Sequence, residues 1–598
     1  MKHFHVLLSV LLAGSILAGC SKNGFKPGTY TGTAKGMDGD VTVDVTFSKN
    51  AITSIEIKDD NETAGVGEKA LGVIRDEIMA RQSLNVDTVS GATISSGAMK
   101  GAVSKAITLA GGDPATFGAK KEELKAADAT YDYDVVVAGA GLAGLMAAYK
   151  AESAGAKVAL LEKEGLVGGT SIFSSGSFII APTADKVPAA VNSWLSRNTI
   201  QDKNPVDKAR VSSMLARGPE IIALLDATGL KYSFDKDGVT FHPAASDRSK
   251  KNASFIKLAS KNAMSKGGAA LIDAIEKKIT ADGVVICLNT PVTSLITAAD
   301  GSVTGVISKG TSGTKTFNAK AVVLATGDYA WNKEMTDKYC PDASGNYTAS
   351  AVGNTGDGHQ LAMDAGAVMY KFQESMSGVF APDPYDMPTV GEPNNSYPFE
   401  CLLLSPEGKR VVSEAAGSHS QMIKFVNSSS DPEYGWVVMD QETASKFLNL
   451  DTYLTAAAGG NKFIVAYKES SVEKLAADMG LDASILKASI DRYNGMCKAG
   501  KDTDFGKDAK YLSAIDDGTY YAVKEYDLTR GNYGGIVTDR TGAVLKADNS
   551  AIPHLYAAGV ISSGPYFGDF YPGREALALA AQMGFTAGES AAADAAKK

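Results

Sequence analysis

The chain holds 598 residues, 44% of them hydrophobic and 21% charged, with five cysteines and a formal net charge of −9. That composition excludes a mainly disordered chain and a disulfide scaffold. The acidic balance, with no strong basic block, excludes nucleic-acid binding by phosphate neutralisation. At roughly 100–200 residues per domain, the length predicts three or four domains.

Residues 1–20 read as a secretory signal. A short basic start precedes an apolar run from Val6 to Ala18, too short to span a bilayer as a helix. Its end, Leu17-Ala18-Gly19-Cys20, resembles the lipobox of bacterial lipoproteins. That resemblance makes Cys20 the lipid-bearing first residue of the mature protein, anchored to the membrane on its extracytoplasmic face. The other cysteines, Cys287, Cys340, Cys401 and Cys497, lie far apart with no CxxC or CxxCH. No metal cluster or attached c-type haem is therefore encoded.

A small α+β domain is expected at 25–112. Val41–Phe47 alternates with the period of a half-buried strand, and a second strand is expected within Ala51–Ile57. Helices follow at about Gly67–Ala80 and Ser96–Leu109. The segment before the second helix, Asp87-Thr88-Val89-Ser90-Gly91-Ala92-Thr93, reads either as an anion site at a helix start or as a plain N-cap turn. It resembles the signature of FMN-binding domains that carry FMN as a phosphoester on the final threonine. The resemblance implies covalent FMN at Thr93, with Asp87, Ser90, Gly91 and Ala92 forming the acceptor site for a flavin transferase. Residues 113–130, polar and mixed in charge, read as a linker.

From 131 onward the pattern is α/β. Tyr133–Ala138 reads as a buried parallel strand running into Gly139-Ala140-Gly141-Leu142-Ala143-Gly144 and then a helix. A second strand ends at Glu162, 23 residues after Gly139. A glycine fingerprint between strand and helix, with an acid at that spacing, is the dinucleotide-binding arrangement. Further motifs follow in order: Lys163, then Gly169-Thr170-Ser171, Ser174 and Gly176, then Thr326-Gly327-Asp328, Asp357, Gly559 and Glu575. Together they resemble the flavoprotein family of fumarate reductase and succinate dehydrogenase, which includes urocanate reductases and 3-ketosteroid dehydrogenases. The resemblance implies non-covalent FAD held by these residues. It also implies a Rossmann-like FAD domain split into 131–365 and 530–598, with an α+β capping domain, 366–529, inserted between.

The substrate site departs from the family pattern. Gly408-Lys409-Arg410-Val411-Val412-Ser413-Glu414 matches the stretch that precedes the family's proton-donating arginine, yet no arginine occurs from 411 to 491. His419 is the remaining candidate donor on the cap. Tyr571 stands where the family has a carboxylate-binding arginine, and a phenol there suits a ketone oxygen. Arg530 and Arg574 are candidates to hold a carboxylate, and Tyr533 and Tyr566 are further candidates for the pocket. His359 reads as support for the flavin loop. Fumarate is not the expected substrate.

The expectation is a membrane-anchored reductase of the C=C bond in an enoate or enone acceptor, used in anaerobic respiration. Electrons would arrive from a membrane-bound donor, quinol- or NADH-linked, through FMN. The rivals are a dehydrogenase of steroid-like ketones and a non-catalytic electron-transfer lipoprotein.

Overall fold

The computed structural model describes residues 24–597, except 38, 61, 63–64, 119–127, 197–203, 245–264, 311–312, 381–397, 416–433, 448–449, 461–463, 570 and 572. Cys20, the signal segment and His419 lie outside the described residues. The chain divides into two units, Met1–Lys125 and Ala126–Lys598.

The first unit is a three-stranded antiparallel sheet, β1 (Gly28–Lys35), β2 (Asp40–Phe47) and β3 (Ile52–Asp60), covered by α1 (Gly67–Arg81) and α2 (Thr93–Leu109). The alternation in β2 buries Val41, Val43, Val45 and Phe47 beneath the helices. On α2, Met99, Ala102, Val103, Ala106 and Ile107 complete the core at i, i+3, i+4 spacing. The helix begins at Thr93, three residues before the expected start.

The second unit is built on an eight-stranded sheet. β4 (Ala129–Ala138) runs parallel to β5 (Val158–Leu161), with Val135 opposite Val158 and Ala138 opposite Leu161. Val135–Ala138 and all of β5 are buried, as continuous apolar strands covered on both faces must be. β4 starts two residues inside the expected linker. On its other side β4 pairs with Gly313–Leu324, whose end pairs in parallel with Ala551–Ala557. α3 (Leu142–Ser153) packs on the long final helix, Glu575–Ala595, where Gly584 and Gly588 sit directly on the carbonyls of Ala143 and Ala147.

A six-stranded sheet forms the cap region, with Tyr520–Tyr533 at its centre between Tyr434–Asp440 and Glu374–Phe380. Its two faces bury separate cores. Leu402, Trp436 and Val438 pack on the helices Val472–Met479 and Ala483–Ala499, while Leu403, Val437 and Val523 face the other way. The boundaries expected at 365/366 and 529/530 shift. Ala367 and Met369 bridge to Lys546 and Ile536 of the late FAD-side segment, and 530 falls inside one continuous strand. Within the cap Arg410 is locked by Glu414 and Asp502, both at 2.8 Å, with Lys507 3.2 Å from Glu414. These ions are essentially buried, and the Arg410 guanidinium, together with backbone amides, holds Asp502 well below the usual carboxylate range. Arg410 thus braces the cap and does not line the cavity described next. No described helix is long and apolar enough to cross a membrane, and no group of metal-ligating side chains is found among the described residues.

Candidate flavin and substrate cavity

A cavity of about 720 Å³ opens at the carboxyl ends of β4, β5 and Gly313–Leu324, where a doubly wound sheet binds its ligand. Its cofactor end is made by the tight turn after β4. Gly139 has φ +99°, and a Cβ on Gly144 would sit 1.8 Å from the Gly139 carbonyl, so only glycine lets strand and helix close this tightly. The N-terminus of α3 faces the cavity there and suits a pyrophosphate. Glu162 directly follows β5; Oε2 accepts from the Ala140 amide at 2.8 Å and Oε1 from the Glu164 amide at 2.9 Å. Burial pushes its pKa up while those amides pull it down. Each oxygen keeps a lone pair for a ribose hydroxyl. Lys163 reaches Asp357 at 2.7 Å and Thr355 at 2.6 Å on the same rim.

Along the middle, Gly169, Thr170, Ser171 and Ser174 form one wall, and Thr326, Gly327, Asp328 and Gly559 another. Asn354 joins the two walls, donating to Thr170 Oγ1 at 3.0 Å and to Asp328 Oδ2 at 2.6 Å. Burial raises the Asp328 pKa to about 7 against the pull of these donors. Thr326 Oγ1 is a buried hydroxyl with no protein partner, free for a ligand. A glycine cradle without room for side chains, a carboxylate at the second strand and an orphaned hydroxyl fit a flavin dinucleotide. Of the other residues expected to hold it, Gly141 lines the cavity, whereas Ala140, Gly144, Gly176 and Glu575 lie behind the lining.

The opposite end is polar and cationic. Tyr571, Arg574 and Arg530 line it together. Tyr571 packs edge-on against Phe567, and its hydroxyl accepts from the Ala576 amide at 3.3 Å. Arg574 is the left-handed residue, φ 78°, that opens the final helix, and its Nη1 lies 3.7 Å from Asp235. Arg530 sits in a bulge. Ser375 pairs with Asn532 and Ser377 with Thr529, so two residues face one, which re-aims the side chain. No ion pair or hydrogen bond of Arg530 exists among the described residues. Tyr533 and Tyr566 do not line the cavity. Tyr533 is wholly buried beside Phe567 with an unpartnered hydroxyl, and Tyr566 turns its hydroxyl onto Met583 Sδ at 3.1 Å. His359 is buried behind the wall, its pKa pushed down to about 4 by desolvation. Asp235, His242, Ser177 and Met376 also belong to this end or back it; none carries a local motif by which sequence reading finds it.

In the first unit Thr93 is exposed at the start of α2, and Asp87 and Ser90 are exposed beside it. The turn is fixed from within: Val89 N donates to Ser96 Oγ at 3.0 Å, and Lys100 Nζ to Val86 O at 2.9 Å. Gly91 takes φ +81°, so the threonine hydroxyl is presented on a rigid corner.

Known families and structures match both units. A family model described as an FAD binding domain matches residues 134–573, and one described as an FMN-binding domain matches 36–108. The chain is 30% identical to urocanate reductase of Eggerthella lenta, over 92% of this chain and 91% of that protein. It is 30% identical to vinyl phenol reductase of Lactiplantibacillus plantarum, over 73% of this chain and 91% of that one. The open conformation of a flavocytochrome c3 fumarate reductase superposes with a TM-score of 0.59 at 25% identity, over 78% of this chain and 79% of that one. The chain therefore belongs to the fumarate reductase and succinate dehydrogenase flavoprotein family, carries an FMN-binding domain before its FAD-binding domain, and is an FAD- and FMN-dependent oxidoreductase of CH–CH groups.

Proposed function

We propose that this protein reduces the C=C bond of an α,β-unsaturated carboxylate other than fumarate, on the outer face of a membrane to which Cys20 anchors it. The observation that carries this reading is Arg530, a guanidinium on the cavity wall with no carboxylate of its own among the described residues. Such a cation is suited to a substrate carboxylate, which it can take in a two-bond fork. Arg574 already leans on Asp235, so among the described residues the substrate end offers one cation without a carboxylate partner, which suits a monocarboxylate better than a dicarboxylate. Tyr571 stands on the same wall to donate to the substrate's carbonyl oxygen as negative charge builds on it. FMN, on the Thr93 hydroxyl, supplies the entry for electrons from a membrane donor, and FAD supplies the hydride. The relatives named urocanate reductase and vinyl phenol reductase support the reaction class.

The test is R530M, assayed with an enoate and with its methyl ester. The enoate KM is expected to rise about 50-fold, an energy of about 2 kcal/mol for a charged hydrogen-bonded pair, while the ester is unaffected. Equal losses on both would contradict the assignment. Membrane anchoring is tested by C20S, which is expected to move the protein from the membrane fraction to the soluble one.

The ketone reading remains distinct. It rests on Tyr571, and it predicts that Y571F abolishes turnover of a saturated cyclic ketone by the oxidised enzyme.

A further inference from the structure

Reduction of a C=C bond needs a proton as well as a hydride, and a second polar line enters the cavity from behind its wall. Ser177 lines the cavity and is 3% exposed. It directly precedes the short strand Phe178–Ile179, which pairs antiparallel with Thr240–Pro243, Phe178 opposite Phe241. That register puts His242 beside Ser177, and Ser177 Oγ lies 2.8 Å from His242 Nδ1. The neighbouring strand, Tyr232–Phe234, leads into Asp235. His242 Nε2 sits 3.0 Å from Asp235 Oδ1, a contact that is an ion pair when the ring is protonated and not an aligned hydrogen bond. Asp235 is half-exposed, so the line runs from solvent through an imidazole to a buried hydroxyl on the cavity wall. The other Asp235 oxygen faces Arg574, which lines the cavity beside Tyr571. The line therefore reaches the substrate end and not the cofactor turn.

We propose that Ser177 and His242 form the proton-delivery line of the reductase, with Asp235 as the positioning residue; the inference rests on the reductase reading above. When both ring nitrogens carry protons, the Nδ1 proton is hydrogen-bonded to Ser177 Oγ and the Nε2 side of the ring faces Asp235. As hydride adds to the β-carbon, the electron pair of the C=C bond moves to the α-carbon and its carbonyl. The Ser177 O–H bond breaks as the α-carbon takes that proton. The His242 Nδ1 proton passes to Ser177 Oγ, leaving a neutral imidazole that solvent reprotonates. No group in the line changes oxidation state, and one proton is consumed per double bond. Among the described residues, the charged or titratable groups around His242 include Asp235, Asp237 and Tyr232 on its own small sheet, and Arg574 from the final helix. The Asp237 carboxylate is held low and the Tyr232 phenol is raised to about 12.

The experiment uses the full flavinylated protein, reduced anaerobically with a viologen dye and mixed with an enoate that the wild type reduces. S177A and H242Q are expected to slow re-oxidation of the reduced flavin about 100-fold, while FAD content, the rate of flavin reduction and the enoate KM stay within threefold. S177T, which keeps the hydroxyl, is expected to recover most of the rate. D235N is expected to lose about tenfold. Re-oxidation in S177A and H242Q within threefold of wild type would overturn the relay and leave the reductase reading standing. A wild type whose reduced flavin no enoate re-oxidises would overturn both.

Discussion

The two ends of the FAD-side cavity are built in opposite ways. At the cofactor end, the groups come from short consecutive segments. Gly139, Gly141 and Gly144 share one turn, and Glu162 closes the next strand, bonding back to Ala140 at 2.8 Å. At the substrate end, nothing is consecutive. Ser177, Asp235, His242, Arg530 and Arg574 come from four separate stretches of chain, brought together by a strand pairing, a bulge and a left-handed helix start. A cofactor shared across a family can be held by local geometry that any member inherits. A substrate peculiar to one member must be read by residues that change independently, which long-range placement allows.

This contrast can be broken by substitution. The largest effects are expected where local geometry leaves no room. T93A should abolish protein-bound flavin fluorescence on a denaturing gel while FAD, released by denaturation, stays near one per chain; T93S, which keeps a hydroxyl, should retain the fluorescent band. In the second unit, G144A forces a methyl group against the Gly139 carbonyl, and overpacking of this kind costs on the order of 3 kcal/mol or more. FAD-to-protein absorbance should fall below a tenth of wild type. A substrate-end change should do the reverse. R574M should retain full FAD and raise the enoate KM only about fivefold, because Arg574 is already engaged by Asp235. Loss of FAD in R574M would erase the distinction between the two ends.

Smaller again is a stability effect away from both ends. Glu525 lies in the cap sheet, 1% exposed, with neither carboxyl oxygen hydrogen-bonded. Burial alone raises its pKa to about 8. The folded value lies above the unfolded one, so the stability linked to its proton is fully present below about pH 4.5 and is lost as pH rises through about 8. E525Q should therefore match wild type in Tm at pH 5 and exceed it by about 2–4 °C at pH 9. Equal Tm differences at both pH values would show that Glu525 does not hold a proton in the fold.

The sequence foretold the elements better than the site. The alternation in Val41–Phe47 and the apolar run before Gly139 each encode one strand by its own period, and both strands form. The boundaries of the cap were not legible, because Tyr520–Tyr533 is one continuous strand that serves the cap sheet at one end and the cavity at the other. Arg530 was legible as a candidate, but the bulge that aims it depends on Asn532 and Thr529 pairing with Ser375 and Ser377, about 150 residues earlier. Tyr533 looked equally suitable by composition. Three residues further along the same strand, past the bulge, its ring falls among Phe372 and Phe567 instead of in the cavity. His242 and Asp235 carried no signal, since a lone histidine in a short strand gains meaning only from the serine that pairing sets beside it.

If the proposed function holds, reduced flavin in this protein gives its electrons to the double bond of a monocarboxylate. The most direct measurement is anaerobic: reduce the flavinylated protein with a viologen dye, then follow re-oxidation on adding cinnamates, acrylate, urocanate, fumarate or an enone steroid. Rapid re-oxidation is expected with at least one monocarboxylic enoate, and little with fumarate. Re-oxidation by fumarate as fast as by any monocarboxylate, or by the enone steroid alone, would contradict it.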